Sequence, residues 1–86
     1  MENEEFLKKV ETELKISKNS NYTVRNYLSS NKALLEFSQK DPESITSEDV
    51  KLFLAEKLSE NASASIILFL AAVKYAYLLN FGRDIT

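Results

Sequence analysis

Apolar residues recur at helical intervals from the start of the chain: Phe6, Leu7, Val10 and Leu14 stand three and four apart, with Glu and Lys between them. This is the spacing of one apolar helix face, and it predicts a first helix over about 3–16. The stretch Ser17-Lys18-Asn19-Ser20-Asn21 is polar and rich in side chains that bond the local backbone, so it reads as a loop in which Ser20 or Asn21 caps the next helix. Thr23, Tyr27, Leu34, Leu35 and Phe37 keep near-helical spacing, and neither Gly nor Pro interrupts before Asp41-Pro42. A second helix over about 21–39 follows. Pro42 disfavours helical geometry at Asp41, and Thr46 with Asp49 three residues later forms a variant capping box that opens a third helix over about 47–58. Val50, Phe53, Leu54 and Leu58 make its apolar face, and Ser59-Glu60-Asn61 closes it. Ser63 or Ser65 then caps a fourth helix, over about 63–80, which Gly82 ends in the left-handed conformation that suits glycine.

The fourth helix differs from the others, because residues 66–73 are apolar without a break and Tyr75 to Leu79 continue the run after Lys74. A bilayer span needs about 20 predominantly apolar residues. The uninterrupted run is shorter and Lys74 breaks it, so a central or interface helix is expected rather than a membrane segment. Arg83-Asp84-Ile85-Thr86 follow the cap, carry no structural signal of their own and read as a linker that has been cut.

Length and composition narrow the class. The 86 residues allow one hydrophobic core and hence one domain. One Gly and one Pro leave little room for tight turns, so an all-α, four-helix bundle is expected. His and Cys are absent, which excludes disulfides, the usual zinc sites, Cys or His nucleophile systems and imidazole bases; no cofactor is called for. The acidic N-terminus is unlike a signal peptide, and the cytoplasm is the expected setting.

The order of these signals resembles the SAM-like N-terminal, core-binding domain of the phage integrase and Xer-type tyrosine recombinases, from about Phe6 to Gly82. Ser20-Asn21-Tyr22-Thr23-Val24-Arg25-Asn26-Tyr27 matches that family's Ser-x-x-Thr-x-x-x-Tyr segment, and Ile45 to Val50 its acid-capped third helix. Ser63-Ala64-Ser65 leading to Leu70-Ala71-Ala72-Val73-Lys74-Tyr75 occupies the place of its fourth helix. There Leu68 and Phe69 stand at two usually basic positions, Lys74 replaces an arginine, and Asn31 in the second helix takes a leucine position.

The resemblance implies a domain that clamps one side of a recombination site on double-stranded DNA through helices two and four. Catalysis belongs to a second domain of the same parent chain, and self-association on DNA is compatible with the family's assemblies. This segment is no enzyme by itself: its four tyrosines have no His and only two arginines beside them, and they read as core or surface aromatics. Lys18, Arg25 and Lys32 are the expected phosphate or base contacts, with Asn21, Tyr22, Asn26 and Ser29 as polar companions. Ser63 and Ser65 are caps first, but a capped N-terminus also accepts a phosphate. Lys74 either meets a phosphate or packs its stem along the core with its amine in water.

Charge separates along the chain. Residues 17–40 carry Lys18, Arg25, Lys32 and Lys40 against Glu36, net +3, whereas 41–61 are net −4, in a chain of net −2 overall. A domain that contacts no DNA and packs its apolar last helix on another protein is the alternative reading, and a salt-dependent affinity for duplex DNA separates the two.

Overall fold

The computed structural model describes residues 1–57 and 63–85. Its elements are α1 (Asn3–Ile16), α2 (Asn21–Ser38), a 3-10 turn (Pro42–Ser44), α3 (Ser47–Lys57) and α4 (Ser63–Phe81). All four expected helices are present within a residue or so of their expected bounds. Leu58 and the closing stretch 59–61 lie outside the described residues, as does position 62, which precedes α4.

Helix ends follow local chemistry. Ser20 Oγ accepts from the Thr23 amide at 3.1 Å and starts α2. Before α3, the Thr46 amide donates to Asp49 Oδ2 at 2.8 Å and the Asp49 amide donates back to Thr46 Oγ1 at 3.4 Å, the reciprocal capping box expected there. Gly82 adopts φ +65° and its amide reaches the Leu78 carbonyl at 3.0 Å. Ser63 is the first residue of α4 and Ser65 stands in its first turn.

The core joins Phe6, Val10 and Leu14 of α1 to Val24, Leu34 and Leu35 of α2, Val50 and Phe53 of α3, and Phe69, Val73, Ala76 and Tyr77 of α4. The rings of Phe53 and Phe69 stack 4.6 Å apart, and Phe6 lies 5.1 Å from Tyr77. Val24, absent from the expected face, is buried in place of Thr23. Asn31 is 1% exposed; its Nδ2 donates to the Tyr27 carbonyl at 2.9 Å and across to the Ala72 carbonyl at 3.1 Å, tying α2 to α4.

One expectation about the C-terminal third needs correction. Residues 83–85 are not a featureless linker. Arg83 donates from Nη2 to the carbonyls of Ile45 at 2.7 Å and Glu43 at 3.2 Å, its guanidinium lies 5.2 Å from the Tyr77 ring, and Ile85 is 1% exposed. Tyr77 Oη donates to the Pro42 carbonyl at 2.9 Å, so α4 and the strap after it close over the 42–45 turn. One arginine and one isoleucine carry this anchoring, too little for a periodic pattern to reveal.

Helix α4, expected as a central or interface helix, is covered on one side only. Phe69, Ala72, Val73, Ala76 and Tyr77 face inward, while Ile67 is 69% exposed, Leu78 52% and Leu68 37%. The stretch Ala64–Phe81 is also long and apolar enough to cross a membrane by length and composition, with 28% of it buried within the fold. The helix continues through Lys74 to Phe81, beyond the unbroken apolar run.

Candidate functional site

Helix α2 turns Val24, Asn31, Leu34 and Leu35 into the core. At 3.6 residues per turn, the opposite side presents Tyr22, Arg25, Asn26, Ser29 and Lys32. Tyr22 is 66% exposed, Arg25, Ser29 and Lys32 are exposed, and Asn26 is half-buried. Asn21 is exposed at the first position of the helix, and Lys18 is exposed in the preceding loop. The residues expected from the first half of the chain therefore stand together on one helix face and the loop that leads into it.

Lys18 adopts φ +61°, the left-handed region that costs a side-chain-bearing residue. It closes α1: the Lys18 amide bonds the Lys15 carbonyl at 3.0 Å and the Asn19 amide bonds the Leu14 carbonyl at 3.1 Å. Glycine is the usual residue in such a position.

Not every cation of the basic segment is available. Lys40 donates to both carboxylate oxygens of Asp49 at 3.0 Å, so its charge is spent on α3. Asp49 is held below the usual carboxylate range, first by the Thr46 amide and then by Lys40, against the opposing effect of its burial. By contrast Lys8, Lys18, Arg25, Lys32 and Lys74 form no ion pair among the described residues. The acids Asp41, Glu43 and Glu48 are exposed on the 3-10 turn and at the start of α3. Glu43 takes the N-terminal ammonium of Met1 at 2.6 Å, which raises the ammonium and lowers the carboxylate from their ordinary values.

The expected residues of α4 are not gathered with those of α2. Ala72 receives the Asn31 amide, and Lys74, two residues on, is turned about 200° around the helix from it. Lys74 is exposed on the outer side of α4, among Ile67, Ala71 and Leu78, and it is the only charged residue in that helix. Ser65 is exposed in the first turn; the side chain of Ser63 lies outside the described residues. Phe69, at one of the positions the resemblance makes basic, is buried against Phe53.

Residues of α1 that the sequence reading passed over border the same region. One shallow cleft is lined by Glu4, Leu7, Lys8, Glu11, Leu28, Ser29 and Lys32; the next along the α1–α2 seam is lined by Glu11, Lys15, Asn21, Val24, Arg25 and Leu28. The available signal was the repeat of seven residues shared by Lys8 and Lys15 on one helix and Arg25 and Lys32 on the other. Only the pairing of the helices shows that the two repeats lie side by side.

A family model describing the N-terminal SAM-like domain of phage integrase matches residues 6–86. No curated protein and no solved structure matches the chain.

Proposed function

The chain belongs to the phage integrase N-terminal SAM-like family, and from that membership we propose that it is the core-binding domain of a tyrosine recombinase, gripping duplex DNA beside the site of exchange. The observation that carries this reading is the outward face of α2, where Tyr22, Arg25, Asn26, Ser29 and Lys32 stand together and neither cation has an ion-pair partner among the described residues. Arg25 and Lys32 supply charge for phosphates. Asn21, Asn26 and Ser29 supply short donors and acceptors, and Tyr22 a ring with a hydroxyl, suited to sugar, phosphate or base edges.

Lys18 belongs to the same grip, since the loop that carries it leads directly into the α2 N-terminus. That N-terminus has no acidic residue in its first turn to repel a phosphate. Ser63, Ser65 and Lys74 would add a second contact from α4. Strand cleavage and rejoining belong to a catalytic domain elsewhere in the parent chain, and the domain's share of the reaction is to position the duplex. A cytoplasmic setting and self-association on the DNA go with this role.

Fluorescence anisotropy with a short duplex, repeated over a range of salt, tests the reading. Arg25→Ala and Lys32→Ala are each expected to weaken binding and to lower the salt slope by about 1, the contribution of one neutralised phosphate. Wild-type affinity that does not change with salt would contradict it.

A second reading is favoured by one specific observation. The outer side of α4 exposes Ile67, Leu68 and Leu78 around a single lysine, an apolar stripe that suits a protein partner better than a phosphate backbone. On this reading α4 is a docking helix and its DNA contacts are absent.

A further inference from the structure

We propose that the DNA backbone is held along the seam between α1 and α2, with Lys8 and Lys15 of α1 as phosphate contacts equal in rank to Arg25 and Lys32 of α2. This rests on the reading of the domain as a DNA grip. Lys8 lines one cleft with Ser29 and Lys32, and Lys15 lines the next with Asn21 and Arg25. Within each helix the two cations are seven residues apart, two turns, or about 10.5 Å along the axis. That separation lets two cations on one helix reach different phosphates of a strand, since the phosphates also wind round the duplex and the long side chains take up the difference. The four cations make two pairs along the seam, Lys8 with Lys32 and Lys15 with Arg25, on which one backbone would lie.

The floor of the seam is apolar, since Leu7 and Leu28 are half-buried between the helices, so the charged groups rise from its rims. Glu4 and Glu11 also border it, which leaves the two clefts net positive by two. Glu11 engages Lys15 at 3.3 Å, but Lys15 is mostly in water and Glu11 partly so, where such a pair contributes little and a phosphate competes for the ammonium at small cost. Lys8 makes no ion pair among the described residues.

The test compares the salt dependence of binding to a short mixed-sequence duplex for the wild type, Lys8→Gln/Lys15→Gln, Arg25→Gln/Lys32→Gln, and Lys51→Gln as a control at an exposed position of α3, with helicity of each checked by circular dichroism. Both double variants are expected to lower the slope of log K against log salt by about 2, and Lys51→Gln to leave it unchanged. Glu11→Gln, which frees Lys15, is expected to tighten binding severalfold. If the α1 double variant and Glu11→Gln behave as wild type while the α2 double variant loses its slope, the seam is wrong and the α2 grip stands. If no variant changes a salt-independent affinity, both fail together.

Discussion

Among the described residues Asn31 and Asp49 are the two buried polar or charged side chains, and they respond to charge in opposite ways. Asn31 Nδ2 satisfies two carbonyls while its Oδ1 has no partner, so a carboxylate there would face oxygens only. Asn31→Asp is expected to cost about 3 kcal/mol at neutral pH, with the loss shrinking as acid protonates the new group, as urea denaturation at neutral and mildly acidic pH would show. Asp49 runs the other way. Its carboxyl titrates lower in the folded state than in the unfolded chain, so its contribution is complete above the ordinary carboxylate range and is lost as pH falls through the lowered folded value. Asp49→Ala should cost about 1 kcal/mol through the lost α3 cap and should flatten the acid limb of the stability profile. On the proposed DNA grip Lys18 would link strain to function: relieving its positive φ with Lys18→Gly is expected to stabilise the domain by about 1 kcal/mol while weakening DNA binding. A purely structural lysine would show only the first effect in paired thermal-melt and anisotropy measurements.

At the scale of elements, the most informative piece is the strap after α4. Ile85 is as buried as the core of the bundle, and Ile85→Ala is expected to cost about 2–4 kcal/mol, a loss that a surface linker would not produce in chemical denaturation. Gly82 has nothing within 4 Å of an added Cβ, so Gly82→Ala should cost only the backbone term, about 1 kcal/mol. The strap was illegible in the sequence because Ile85 is a single apolar residue with no periodic neighbour, and because Arg83 acts through carbonyls of a distant turn. Helix placement was legible, since the Ser20 and Thr46 caps, Pro42 and Gly82 each act on the adjoining backbone. The side that α4 buries was not, because its residues are apolar all round and only the packing of Phe69, Val73 and Tyr77 selects the inner face. Of the candidate site, the α2 face could be read from Tyr22 to Lys32 at helical spacing. The separation of Lys74 from it, and the approach of Lys8 and Lys15 to it, depend on helix pairing that no local pattern encodes.

For the whole molecule, charge is distributed unequally rather than in excess. The net charge is −2, yet Lys8, Lys18, Arg25 and Lys32 have no ion pair among the described residues and lie on α1, α2 and their connecting loop, while Lys40 is neutralised by Asp49 and exposed acids collect on the 3-10 turn and α3. On the proposed reading, such a surface would favour an oriented and weak encounter with DNA, to be strengthened by the contacts of a catalytic domain. The apolar side of α4 points to a different kind of partner, and the two surfaces belong to different parts of the domain. The most direct test is to titrate the isotope-labelled domain with a short duplex at low salt, follow every backbone amide, and repeat at higher salt. Shifts concentrated on residues 18–32 and on Lys8 and Lys15, disappearing as salt is raised, are the predicted result. No shifts at high protein and DNA concentration, or shifts confined to the Ile67–Leu78 side of α4 and indifferent to salt, would contradict the DNA grip.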